Sequence, residues 1–225
     1  MSSTYNIAID GPAGAGKSTI AKLVAAKLGF IYVDTGAMYR AMAFYFLENG
    51  IQPEDEEKVS AACGQIDISL RYQDGVQQVI LNGRDVSGKI RTEAVGNAAS
   101  VVSAYRAVRQ ALLALQQNLA KTSNVIMDGR DIGTCVLPHA QTKIYLTASS
   151  HVRAIRRYKE LTEKGQMCNL EEIEQDIIDR DYRDMHREIA PLTQAADAVL
   201  LDSSEMTIDQ VVDGIIGAAR ERGLA

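Results

Sequence analysis

Nine consecutive residues, Gly11-Pro12-Ala13-Gly14-Ala15-Gly16-Lys17-Ser18-Thr19, carry the spacing G-x-x-x-x-G-K-[ST]. Glycines at these intervals let the backbone turn its N–H groups inward as a nest for an anion, and a helix starting at the lysine adds its positive end to the same place. Lys17 then reaches the outer phosphates, and the Ser18 hydroxyl is set to hold Mg2+. The motif means this only between a strand and a helix, and both are predicted. Residues 5–10 form a short apolar run, and Lys17 to Leu28 keeps helical periodicity until Gly29 stops it. A cradle for a nucleoside triphosphate is expected.

Such a cradle serves kinases, GTPase switches and motor ATPases alike. A GTPase needs N-K-x-D to read guanine, which the sequence lacks, and Asp85-Val86-Ser87-Gly88 meets D-x-x-G only by chance. A motor ATPase needs Asp-Glu at a strand end, yet neither Asp34 nor Asp128 is followed by Glu. A kinase for a small molecule fits better than either.

Three further groups could face the acceptor. A second strand at 30–33 leads into Asp34-Thr35-Gly36-Ala37-Met38-Tyr39-Arg40, and Arg40 falls about one and a half turns into a helix expected at 37–48. By itself Arg40 reads equally well as a solvated helix charge. A later strand at 124–127 runs into Asp128-Gly129-Arg130-Asp131, either a surface turn or a ligand-facing mouth; Asp128 could hold Mg2+ or orient the acceptor. In the stretch from Arg180 to Arg187, a helix places Arg180, Asp184 and Arg187 within about 60° of one another. That face could clamp a sugar phosphate. Together with Arg153, Arg156 and Arg157 it flanks an irregular segment at 162–169, as in a mobile lid that carries cations.

The elements that must position these groups alternate. Further strands are expected at 142–147 and 197–201, with amphipathic helical stretches at 104–120, 149–162 and 207–220. Such alternation makes an α/β fold, a parallel sheet with helices on both faces and ligands at the carboxyl ends of its strands. One region breaks the rhythm: Ile68–Tyr72 and Val76–Leu81, with reversals at Asp74-Gly75 and Asn82-Gly83, predict an inserted antiparallel lobe.

Composition sets the bounds. A chain of 225 residues is long enough for one domain with an insertion, and 46% hydrophobic with 24% charged residues is ordinary for a globular protein. Its net charge of −5 argues against a non-specific grip on nucleic acid or anionic membrane, so any phosphate must be held by local groups. Three cysteines without a CxxC pair read as neutral thiols in a reducing compartment, and the three histidines lack metal-ligand spacing. The nine tyrosines do not interleave with a basic patch, which leaves single-stranded nucleic-acid binding unsupported. The N-terminus lacks a basic-then-apolar leader, and no apolar run approaches the roughly 18 residues of a membrane helix; a cytoplasmic protein is expected.

The set G-P-x-G-x-G-K, D-[ST]-G-A-x-Y-R, Asp85-Val86-Ser87-Gly88-x-Ile90-Arg91-Thr92, D-G-R-D and R-D-x-R-D-x-x-R-x-x-A-P-L resembles the bacterial cytidylate kinases, a family of P-loop nucleoside monophosphate kinases, over essentially the whole chain. The resemblance implies Mg2+-assisted transfer of the ATP γ-phosphoryl group to CMP or dCMP. It implies one kinase domain over residues 1–225, with an acceptor-binding lobe at 60–95 and a lid segment at 155–175 whose cations are Arg153, Arg156 and Arg157. Lys17, Asp128, Arg130 and Arg187 would carry catalysis. The acceptor phosphate would meet Arg40, Arg130 and Arg187, the sugar Arg180 and Asp184, and the base Thr35, Ser100, Arg109 and Asp131. Thr35 stands where relatives often have serine, and the hydroxyl is retained. A monomer is expected, with ATP and CMP or dCMP as its partners. Two other readings stay open: a kinase for another nucleoside monophosphate or small metabolite, and a nucleotide-dependent binding module.

Overall fold

Ile7, Ala8 and Ile9 are wholly buried in the first strand, and a short run apolar on both sides belongs in a parallel sheet covered on both faces. The structure, a computed structural model, describes residues 4–224. In chain order the elements begin with β1 (Asn6–Asp10), α1 (Lys17–Leu28), β2 (Ile31–Asp34), α2 (Thr35–Glu48) and α3 (Glu56–Ala62). Then come β3 (Ile68–Gln73), β4 (Val76–Leu81), β5 (Arg84–Asp85), α4 (Glu93–Val102), α5 (Arg106–Thr122) and β6 (Val125–Gly129). The chain continues with β7 (Thr142–Thr147), α6 (Ser150–Glu163), α7 (Leu170–His186), β8 (Val199–Asp202) and α8 (Ile208–Glu221). Two compact units result: Thr4 with Ile31–Val125, and Tyr5–Phe30 with 126–224.

The second unit holds the parallel sheet, in the order β6-β1-β7-β8. β1 lies parallel to β7 with Ile7 opposite Thr142 and Asp10 opposite Tyr145, and β7 lies parallel to β8 with Ile144 opposite Val199. Helices α1 and α8 pack together, and Lys27 on the first pairs with Asp213 on the second. Between β6 and β7 a single π-helical turn spans Ile132–Val136.

The first unit holds the inserted sheet. Ile68 faces Leu81 and Gln73 faces Val76, so the β3–β4 loop is two residues long. Asp74 and Gly75 have φ of 51° and 76°, the double left-handed geometry of a type I′ turn. Asn82 and Gly83 repeat it, at 47° and 79°, before Arg84 pairs back to Leu81. Both predicted reversals therefore lie at residues whose chemistry tolerates positive φ. In α5, Val108, Leu112, Gln116 and Ala120 are buried at intervals of four, the stripe expected of a helix with one covered face.

Element boundaries shift where side chains cap. Helix α2 begins at Thr35 instead of 37, because the Asp34 carboxylate accepts the Ala37 N–H. Helices α3 and α4, capped by Asp55 and Thr92, lie outside the helical stretches expected from the sequence. The face proposed for Arg180, Asp184 and Arg187 is corrected: α7 ends at His186, and Arg187 has extended φ and ψ of −65° and 143°. The chain turns there toward Ala190, at φ 50°, and Pro191 cannot continue a helix.

Helix α8 begins with a reciprocal cap: Thr207 Oγ1 accepts from the Gln210 backbone and Gln210 Oε1 accepts from the Thr207 backbone. Thr207→Ala should lower the unfolding free energy by about 1 kcal/mol, read as a lower urea midpoint at constant slope. An unmoved midpoint would show that the cap adds nothing to α8.

Candidate active site

The chain leaves β1 through Gly11, where a Cβ would lie 1.9 Å from the Leu146 carbonyl oxygen; only glycine lets the loop start this close to β7. Gly16, at φ 85°, caps α1 and delivers Lys17 as the first helical residue. The Lys17 ammonium is buried and donates to the Gly11 and Pro12 carbonyls, both at 2.7 Å. Burial, reinforced by the positive charge of Arg130, pushes its pKa well below the usual lysine value against the pull of Asp128, Asp10 and Asp184. One residue on, Ser18 Oγ donates to Asp128 Oδ2 at 2.9 Å, which joins the loop to the end of β6. Thr19 is exposed on α1.

Asp128, Arg130 and Asp131 follow one another at the end of β6, and both aspartates are buried. Arg130 Nε donates to Asp184 Oδ2 at 2.9 Å. Burial alone would raise the Asp184 carboxyl, but Arg130, helped by Arg180 and Arg187, outweighs it and holds the pKa below the ordinary range. Arg187 donates from Nε to the Ala190 carbonyl at 2.7 Å and from Nη2 to Asp131 Oδ1 at 3.4 Å. Its place beyond the helix end is what brings it to Asp131.

The lid cations separate into different environments. Arg153 is buried and bound on several sides, Arg156 donates to the Ser203 carbonyl and hydroxyl, and Arg157 is exposed and paired with Glu160 three residues on. The irregular stretch between α6 and α7 spans 164–169.

In the first unit, Asp34 joins the head of α2 to Arg91 and Gln77. One carboxylate oxygen caps α2 and the other takes Arg91 Nη2 at 2.6 Å. The Gln77 side chain pairs with both backbone groups of Asp34, accepting its N–H at 2.9 Å and donating to its carbonyl at 3.2 Å. Thr35 is buried at the head of α2, and Arg40 lies along α4, donating to the Ile90 carbonyl at 3.4 Å with Gly96 leaving room for its guanidinium. Arg109 on α5 donates to the Ser103 carbonyl at 3.2 Å, and its guanidinium stands 5.7 Å from the centre of the Tyr39 ring. Ser100 is half-buried on α4. The Asp85–Gly88 segment makes a tight turn in which Asp85 Oδ1 accepts both the backbone N–H and the hydroxyl of Ser87.

The cytidylate kinase family model matches residues 7–221. A curated cytidylate kinase of Caldicellulosiruptor bescii is 50% identical over 94% of this chain and 93% of its own. Another, from Ligilactobacillus salivarius, is 49% identical over 99% of both chains.

The chain belongs to the cytidylate kinase family.

An uncharacterized protein from Eubacterium ventriosum, at 9% identity and a TM-score of 0.54, shares the fold over 96% of this chain and 99% of its own. The G-x-x-x-x-G-K-[ST] loop follows the end of β1 and is joined to the end of β6 by the Ser18–Asp128 hydrogen bond. Among the described residues no cluster of three His, Cys, Asp or Glu could hold a metal unaided, and no helix is long and apolar enough to cross a membrane.

Two buried carboxylates at this site escaped the sequence reading. Asp181 lies in the charged stretch from Arg180 to Arg187, where nothing local distinguishes it from a solvated helix carboxylate. Asp10 is the last residue of β1 in sequence terms, yet its carboxylate accepts the Ile132 and Gly133 N–H groups, each at 2.7 Å, and so holds the π-helical turn after Asp131. A strand ending in Asp just before a glycine loop was the only available signal. Burial drives the Asp10 pKa up to about 6, although those two N–H groups and Lys17 pull it down. A carboxyl with a raised folded pKa keeps its proton longer in the native state, so stability falls as pH rises through about 4 to 6. The unfolding free energy of the parent minus that of Asp10→Asn should fall by up to about 3 kcal/mol across this window, then stay level above pH 7. A difference that is flat throughout would show that Asp10 titrates like an exposed carboxylate.

Proposed function

We propose that the protein transfers the γ-phosphoryl group of ATP to CMP or dCMP, giving ADP and CDP or dCDP. The observation that carries this reading is the likeness, at about half of all positions and over nearly the full length, to relatives named cytidylate kinase. The donor loop, with Lys17 at the head of α1 and Ser18 bonded to Asp128, supports it.

Phosphoryl transfer asks a protein for position and charge, not for a covalent partner. Lys17 is already desolvated and aimed at the loop's own carbonyl oxygens, so exchanging them for phosphate oxygens needs little reorganisation of the site. Ser18 and Asp128 are the residues that would hold Mg2+, whose charge would neutralise the phosphate oxygens, with phosphate and water as its remaining ligands. Arg130 and Arg187 are each held by a carboxylate, Asp184 and Asp131, which fixes the direction of their remaining N–H groups. We assign the acceptor phosphate to these two with Arg40, the sugar to Arg180 and Asp184, and the base to Thr35, Ser100, Arg109 and Asp131. In this reading 60–95 is the acceptor lobe and 155–175 the lid of a single kinase domain. The protein acts as a cytoplasmic monomer without nucleic acid or membrane.

A coupled ADP-release assay with ATP and CMP, dCMP, UMP, AMP or GMP tests the assignment. CMP and dCMP should turn over fastest, and no acceleration by any of the five would leave a nucleotide-dependent binding module. Lys17→Met keeps the apolar stem and deletes the charge. Its kcat with CMP should drop by about 10²- to 10³-fold, and activity within a few-fold of the parent at saturating ATP would remove Lys17 from the transition state.

A further inference from the structure

Arg153 has the sequence profile of a lid cation, free to swing onto phosphate, but its surroundings describe something else. Its side chain is buried to 6% exposure at the start of α6. Nε donates to the Ala148 carbonyl at 2.8 Å, Nη1 to the Ala13 carbonyl at 2.9 Å, and Nη2 pairs with Asp181 Oδ2 at 2.6 Å. The guanidinium thereby joins the end of β7, the phosphate-binding loop and helix α7. Its aliphatic stem runs beside Gly14, where a Cβ would lie 3.5 Å from the Arg153 Cβ.

The contact with Ala13 sets the direction of the next donor in the loop. A trans peptide points its C=O and its N–H to opposite sides of the chain, and the described residues contain no cis bond. Holding the Ala13 carbonyl toward Arg153 therefore turns the Gly14 N–H away from it. The same peptide cannot flip while the guanidinium grips its oxygen. An anion nest depends on the orientation of such N–H groups, and Gly14, at φ 74°, has no side chain of its own to hold that orientation.

Asp181 completes the device. It is buried, and its Oδ1 has no hydrogen-bond partner among the described residues. A buried carboxylate satisfied on one side only is a poor choice for stability, which favours an apolar residue or a fully bonded one. Its useful property here is the ion pair that Oδ2 makes with Arg153. Three residues on, on the same side of α7, Asp184 holds Arg130 in the same way. One helix thus carries the carboxylate that orients the donor loop and the carboxylate that orients an arginine at the end of β6.

We propose that Arg153 and Asp181 are positioning residues for the phosphate-binding loop, and that their ion pair ties the loop's geometry to α7. The inference rests on the reading of this loop as the ATP site. It assigns Arg153 no contact with phosphate.

The test measures binding of ATP alone and of CMP alone by titration calorimetry, for the parent, Arg153→Lys, Asp181→Asn and the double variant. Lysine keeps the charge but, with all its donors on one nitrogen, cannot span the three acceptors that Nε, Nη1 and Nη2 reach. Each single variant should bind ATP at least 10-fold more weakly while CMP affinity stays within 2-fold, and the double variant should be no weaker than the worse single one. Asp181→Asn is decisive. A lid cation aimed at phosphate would be released by that change and would bind ATP as well as before or better, so parent-like ATP affinity in this variant overturns the proposal. Loss of ATP and CMP binding in equal measure, with a lowered Tm, also overturns it, because it marks the pair as a general structural support. Should a variant be too unstable to titrate, hydrogen exchange of the Gly14 amide in Asp181→Glu, which restores the charge on a longer arm, must lie nearer to the parent than to Asp181→Asn. A parent that binds no ATP overturns the functional reading and this inference together, whereas a parent that binds ATP beside unchanged variants overturns the inference alone.

Discussion

Ionised groups withdrawn from water must neutralise one another, and around the ends of β1 and β6 this constraint governs nearly every side chain. Asp10, Lys17, Asp128, Asp131, Arg153, Asp181 and Asp184 are all buried within one unit. None could stand there alone, because an unpaired buried charge costs several kcal/mol or changes its protonation. Three carboxylates are paired with arginines, Asp184 with Arg130, Asp131 with Arg187 and Asp181 with Arg153, while Asp128 accepts from Ser18, Asp10 accepts two backbone N–H groups and Lys17 donates to two backbone carbonyls. Arg130 and Arg187 are thereby each held in a fixed direction by a carboxylate, and Lys17 by two carbonyls. Pre-orientation and neutralisation are the same arrangement seen from two sides.

The backbone serves that arrangement at a few sterically closed points. Gly11 passes so near the Leu146 carbonyl that no side chain fits, and this close approach places the loop directly over β7. The turn at Arg187 ends α7 early enough for the guanidinium to reach Asp131. Asp34 does comparable work in the first unit, where one carboxylate caps α2 and takes Arg91 while Gln77 holds its backbone.

What could be read from the sequence was what local chemistry encodes. The G-x-x-x-x-G-K-[ST] loop, the Asp-Gly and Asn-Gly reversals and the apolar run of β1 each depend on residues within a few positions, and the structure follows them closely. The sheet class followed from the alternation of such segments. Illegible parts depend on partners far along the chain. Arg153 looks like any helix cation until Ala13 and Asp181 are seen beside it, and Asp10 looks like an ordinary strand end until the Ile132 and Gly133 amides meet its carboxylate. The overlong helix face at 180–187 failed for a nearer reason: periodicity carries no notice of where a helix stops, and the signal from Pro191 was too far downstream to mark His186.

The parallel sheet also bears on the order in which the chain can assemble during synthesis. The β3–β4–β5 meander closes through two-residue turns, and its unit is continuous from Ile31 to Val125, so its contacts become available as that stretch leaves the ribosome. β1 has no such local partner. Its neighbours are β6 and β7, and Ile7 pairs opposite Thr142, so the first strand made waits for more than half of the chain before its ladder can form. Until then Ile7, Ala8 and Ile9 are an apolar strand with both edges open, the kind of segment that nascent chains lose to aggregation unless it is shielded. The phosphate-binding loop hangs from that strand, so it is among the first parts of the protein to be translated and among the last to acquire its shape.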